Sequence, residues 1–279
     1  MNDFKPYPYS ASDNAERINK IISASIDANQ RISALKMILG AIDLTTLEAT
    51  DTDARVRALC DQAGSFSDRK SNAPNVAAVC VYPPFAGLVK ESLRGTGIKT
   101  ACVATGFPSG QATLPIKLME VSSVVLDGAE EVDMVISRGK FLEGKYDEVT
   151  NEIRSVKATC GDAHLKVILE TGELESIENI RKASVIALLA GADFLKTSTG
   201  KVQPAATLEA FLIMIDTIRE YHVMTGKMVG IKAAGGIADP ETALKYHALT
   251  ASILGDEWLN KHYFRIGASR LAEKIFSEL

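Results

Sequence analysis

Three ionisable side chains interrupt apolar runs of this chain: Asp133 in EVDMVI, Lys196 in ADFLKTSTGK and Lys232 in VGIKAAGG. A charge inside a buried strand is expensive unless it is paired or used. Taken singly, each has a structural reading, Asp133 as a partner of a backbone amide and either lysine as a side chain reaching the rim. Taken together they have a chemical use. Lysine attacks a carbonyl only as the free amine, and a second ammonium nearby disfavours its protonated form. At about 5 Å and an effective dielectric near 20 the repulsion is roughly 3 kcal/mol, or about two pKa units. A carboxylate beside the pair can move protons while a carbinolamine loses water and an enamine forms. Lysine, lysine and aspartate make an imine-forming site.

A second set of residues points to an anion. Gly235 and Gly236 follow one β-branched run, Gly267, Ala268 and Ser269 follow the next, and Gly200 with Lys201 follows the run that carries Lys196. Glycine after a strand is an ordinary turn, but small residues at successive loops also let backbone amides approach a phosphate.

These groups need a scaffold that brings strand ends together. Eight candidate strands run from Ile42 to Leu44, Val76 to Val81, Thr100 to Thr105, Val132 to Ser137, Leu165 to Leu169, Phe194 to Thr197, Val229 to Ala233 and Phe264 to Ile266. Helical patterns separate them, near Thr52 to Ala63, Phe85 to Leu93, Leu114 to Leu126, Tyr146 to Ala158, Ile177 to Leu189, Leu208 to His222 and Pro240 to Leu249. Ser269 is placed to cap an eighth helix running to the last residues. Eight alternating units predict an α/β fold of one (β/α)8 TIM barrel, in which chemistry sits at the C-terminal ends of the strands. Asp133, Lys196 and Lys232 then converge on one mouth from strands four, six and seven. Residues 1–38, with Ile18, Ile21, Ile22 and Ile26 at helical spacing, predict an N-terminal helical extension over the barrel bottom or one side, and 39–279 the catalytic barrel.

Composition narrows the function. Of 279 residues 46% are hydrophobic and 24% charged, and the net charge is -4, so no basic surface for nucleic acid is expected. No apolar stretch approaches the roughly 18 residues of a membrane span, and no leader is visible, which suggests a cytoplasmic protein. The cysteines at 60, 80, 102 and 160 lack Cys-x-x-Cys spacing, and Cys80 and Cys102 read as small buried hydrophobes. STGK is no phosphate-binding P-loop, because Leu195 stands where its first glycine belongs and Val202 follows Lys201. The four histidines show no metal-ligand spacing, so neither a metal nor a cofactor is expected.

The ordered segments IDLTTL, CVYPPF, GFPSG, EVDMV, KVILETGEL, ADFLKTSTGK, GIKAAGGI and FRIGAS resemble those of the deoxyribose-phosphate aldolase family from about Asp43 to Ser269. The resemblance implies that Lys196 forms the imine, that Lys232 perturbs it, and that Asp133 relays protons with Asp43 and Thr45 nearby. It places Thr199, Lys201, Gly235, Gly236, Gly267 and Ser269 around the substrate and its phosphate. It also implies a small phosphosugar as the partner and a homo-oligomer, dimer or tetramer. One departure is Lys232-Ala233-Ala234-Gly235-Gly236, where many relatives carry proline after the lysine, which predicts a less constrained loop. The competing readings are another phosphosugar barrel lyase, transaldolase-like or metal-dependent, and a barrel that binds a sugar phosphate without turning it over.

Overall fold

The computed structural model describes residues 4–24 and 27–279, so Ile26 lies outside the described residues. Eight parallel strands close into a barrel in sequence order: β1 (Ile42–Thr45), β2 (Ala78–Val81), β3 (Lys99–Ala104), β4 (Glu131–Val135), β5 (His164–Ile168), β6 (Phe194–Lys196), β7 (Gly230–Ala234) and β8 (Phe264–Ala268). This is the (β/α)8 barrel that the alternation predicts. Val76, Ala77 and Val229 precede their strands rather than belonging to them. Between strands run α3 (Asp53–Arg69), α4 (Ala86–Ser92), α5 (Leu114–Leu126), α6 (Arg138–Leu142), α7 (Tyr146–Cys160), α8 (Ile177–Leu189), α9 (Leu208–Thr225) and α10 (Pro240–Leu254), and α11 (Leu271–Glu278) follows β8. The short α6 carries no periodic signal of its own.

Local chemistry explains the boundaries. Thr52, Ser176, Thr207 and Asp239 each accept a backbone N–H from the residue three positions on, satisfying a donor that a helix start leaves free. Ser269 does not do this for α11. The helix begins one residue later with Arg270 at its cap position, and among the described residues no side chain caps it.

The extension forms α1 (Ala11–Ile22) and α2 (Ala28–Gly40), each opened by a reciprocal cap from Ser10 or Asp27. It covers one side of the barrel: α1 packs on α9 and α10, and α2 on α10 and α11. Helix α2 runs past residue 38, and its Leu35, Ile38 and Leu39 are fully buried in the main core, which joins the extension to the barrel.

Alternation along the strands separates two environments. Outward-facing Val79, Val81, Cys102, Ala104, Val132 and Met134 pack against the helices. Inside the barrel, Ala78, Cys80, Ala101 and Val103 fill the sector of β2 and β3 with Leu47 above them. All four cysteines are buried and free. The remaining strands fill the interior with charge.

Candidate active site

Strand register builds the site. Lys196, the last residue of β6, is the direct neighbour of Lys232 on β7, so their side chains leave the sheet side by side. Asp133 enters from β4, and its Oδ2 accepts from both amines, at 2.7 Å from Lys196 Nζ and 2.7 Å from Lys232 Nζ. The three residues expected to converge are therefore one hydrogen-bonded cluster. Lys196 is 3% exposed, whereas Asp133 and Lys232 are 0% exposed, so Lys196 alone of the three reaches the mouth.

A further layer of charge lies beneath. Lys166 Nζ reaches Asp133 Oδ1 at 3.0 Å and Glu131 Oε2 at 2.5 Å. Arg265 clamps Asp43 Oδ1 at 2.5 Å and Glu131 Oε1 at 2.7 Å. Asp43 Oδ2 in turn accepts from Lys232 Nζ at 2.5 Å. Asp43, expected near Asp133, meets it on the Lys232 amine, beneath the mouth and outside its lining. Lys166, Glu131 and Arg265 were not among the residues expected here, although the signal that marks Asp133 applies to them. Glu131 shares its strand face with Asp133 two residues on, and Lys166 and Arg265 likewise interrupt apolar strands.

The network sorts the two lysines. Burial lowers the Lys196 amine below its ordinary value; Asp133 opposes this and Lys232 adds to it. Repulsion by Lys232 thus contributes as expected, but loss of water, not that repulsion, is the larger cause. Burial also disfavours charge on Lys232, yet Asp133 and Asp43 outweigh it and its amine is raised. Burial would push the Asp133 carboxyl up; Lys166, Lys196 and Lys232 overcome this and hold it well below the usual range. Charge counting agrees. Three carboxylates, Asp43, Glu131 and Asp133, face three cations, Lys166, Lys232 and Arg265. A proton on Lys196 would be the uncompensated charge in a buried site.

Above Lys196 opens a cavity of about 240 Å³. Lys196 lines it together with Thr45, Thr199, Lys201, Gly235, Gly236, Gly267 and Ser269, which brings the expected substrate and phosphate residues to one place. Arg270 and Glu48 line it too and were missed, since neither interrupts an apolar run. Lys201 Nζ reaches Glu48 Oε1 at 3.3 Å. The glycines divide by role. A Cβ on Gly267 would lie 3.1 Å from Lys232 Cε, so this glycine makes room for the buried lysine. Gly235 has φ 93°, and its Cβ would meet Gly200 Cα at 3.0 Å, so here two loop backbones press together. Gly236 has φ 84° and no atom among the described residues within 4 Å of its Cβ position, which leaves its backbone open to the cavity. The loop predicted to be less constrained for lack of proline is anchored by Thr197, whose Oγ1 accepts from Ala234 N at 3.0 Å and donates to Ala234 O at 3.2 Å.

A family model described as DeoC/LacD family aldolase matches residues 37–269. The deoxyribose-phosphate aldolase of Homo sapiens is 42% identical over 84% of this chain and 77% of its own length. A Caenorhabditis elegans protein provisionally given the same name is 46% identical over 88% of this chain and 81% of its own. Among solved structures, the tetrameric deoxyribose phosphate aldolase of Aeropyrum pernix superposes with a TM-score of 0.69 at 24% identity, over 96% of this chain and 97% of the other. At that identity the likeness concerns the fold.

Proposed function

This chain belongs to the DeoC/LacD family of aldolases and is a carbon-carbon lyase; we propose that it reversibly cleaves 2-deoxy-D-ribose 5-phosphate into acetaldehyde and D-glyceraldehyde 3-phosphate through an imine on Lys196. The observation that carries the reading is a lysine whose amine is lowered by burial, at the floor of the cavity, 2.7 Å from a carboxylate held ionised.

The unprotonated Lys196 attacks the aldehyde carbon, and the carbinolamine loses water to give the imine. The imine nitrogen draws electrons as the bond between the second and third carbons breaks, and the third carbon's hydroxyl loses its proton. The electron pair remains as an enamine on the two-carbon fragment. Protonation of that enamine and addition of water release acetaldehyde and the free amine. Asp133, touching both lysines, takes and returns these protons, and Lys232, its amine raised, stays the local cation. The phosphate occupies the cavity between Gly235, Gly236, Lys201 and Ser269. In this reading the enzyme works in the cytoplasm as a homo-oligomer, without metal or cofactor. No described helix is long and apolar enough to cross a membrane.

Borohydride with acetaldehyde tests the assignment. The expected result is inactivation with a two-carbon adduct on Lys196, because a reduced imine is a stable secondary amine. An adduct chiefly on Lys232 would reverse the two roles. Activity should survive EDTA, and loss that zinc or magnesium restores would sink the metal-free route.

A further inference from the structure

We infer that Glu170 is a positioning residue for the phosphate end of the cavity, fixing Thr199 and through it the Gly200–Lys201 turn, separately from the machinery that sets Lys196. The inference rests on the aldolase reading above. Glu170 follows β5, is fully buried, and has a φ of 56°, a left-handed backbone that a residue with a Cβ rarely adopts.

Three donors keep it there. Its Oε1 accepts Thr199 N–H at 3.1 Å, and its Oε2 accepts both the Thr199 hydroxyl and Arg138 Nη1, the latter at 3.2 Å. Arg138 is itself fixed by Glu173, in the same loop as Glu170, at 2.9 Å and by the Ser109 carbonyl, in the loop after β3, at 2.9 Å.

The consequence for the site follows from counting protons. A threonine hydroxyl has one, and Thr199 gives it to Glu170, so this side chain has none left for a phosphate oxygen. Its oxygen instead accepts Lys201 N–H at 3.1 Å, which sets the turn that carries the Lys201 side chain. Gly200 in the same turn lies against Gly235 of the neighbouring loop. Two of the loops that line the cavity are therefore referred to one buried carboxylate. Lys196, three residues before Thr199, is held by Asp133 from below instead. The run from 196 to 201 has two anchors, one for imine chemistry and one for the anion.

The experiment separates them. Glu170→Gln keeps the shape but presents amide hydrogens to donors, and Arg138→Gln loosens the seat of Glu170 without touching Thr199. In Glu170→Gln the KM for the phosphorylated sugar should rise about tenfold with kcat within about threefold, the loss of one charge-assisted hydrogen bond. Arg138→Gln should move the same way by less, and it decides the matter if Glu170→Gln does not fold. Turnover of unphosphorylated 2-deoxyribose and the rate of acetaldehyde trapping on Lys196 should stay at wild-type levels in both. A parallel loss of trapping and of both sugars, or no change in any of them, overturns the inference. A wild-type enzyme that traps acetaldehyde but does not prefer the phosphorylated sugar overturns the phosphate reading, and this inference with it. Wild-type preference combined with parallel losses in the variants overturns the role of Glu170 alone.

Discussion

Beneath the mouth, Asp43, Glu131, Asp133, Lys166, Lys232 and Arg265 bond to one another almost out of reach of water, while at the rim Lys201, Ser269 and Arg270 stand exposed on loops. Both regions contain ion pairs. Lys232 with Asp43 is fully buried; Lys201 with Glu48 has side chains 32% and 56% exposed. The buried pair has given up its hydration, so each member depends on the other, whereas water can replace either member of the exposed pair. Chemistry at the floor is thus tied to the integrity of the fold, and the exposed side chains of the rim are not. Substitutions can test how far that division holds.

The largest effect is expected from Arg265→Met, which strips Asp43 and Glu131 of a shared counter-charge. Leaving buried carboxylates without a partner should cost about 3–5 kcal/mol, read as a lower urea midpoint. Lys201→Met at the rim should cost less than about 1 kcal/mol. Similar costs would erase the distinction. The floor should also govern acid stability. The carboxyls of Asp133, Asp43 and Glu131 are lowered in the folded protein, so their stabilisation is complete above the ordinary carboxylate range, near pH 4, and is lost as pH falls through their lower folded values.

Next in size is Lys232→Met, which leaves burial acting on Lys196 but removes the cation beside it. The amine should become more basic, with less of it free at neutral pH. The rate should fall at least tenfold and at most about the hundredfold that two pKa units would give. The acid limb of the pH profile should move upward, so that part of the loss returns in alkaline buffer. Lys196→Met should show no recovery at any pH. An unmoved profile in Lys232→Met would mean that burial alone tunes the amine.

How much of this was legible depended on whether the signal was local. The barrel and the meeting of Lys196, Lys232 and Asp133 could be read because each strand announces itself over three to six residues, and a charge within it stands out. Lys166, Glu131 and Arg265 carry the same mark, but their meaning lies in who pairs with whom across 33 to 222 residues of chain, which only strand register reveals. Glu170 is further from view, since nothing in KVILETGEL shows that its backbone turns left-handed or that Arg138 will seat it. Ser269 failed in the other direction: a serine before an apolar run fits the pattern of a cap, but the helix starts one residue too late for it.

That displaced cap yields the smallest expected effect and the closest test of the rim. If Ser269 capped α11, Ser269→Ala would cost about 1 kcal/mol, as Thr207→Ala should at α9, where Thr207 accepts Ala210 N–H at 3.1 Å. Without a capping bond the change at Ser269 should stay within about 0.5 kcal/mol, the range of ordinary surface substitutions. Ser269 lines the cavity instead, so the same substitution should weaken the phosphorylated sugar about threefold to tenfold and leave the free sugar unchanged, the yield of one neutral hydrogen bond. Chemical denaturation and paired kinetics on Ser269→Ala and Thr207→Ala separate the two roles. A stability loss at Ser269 equal to that at Thr207, with sugar preference intact, would return the residue to helix capping and leave the anion to the glycine backbones and Lys201.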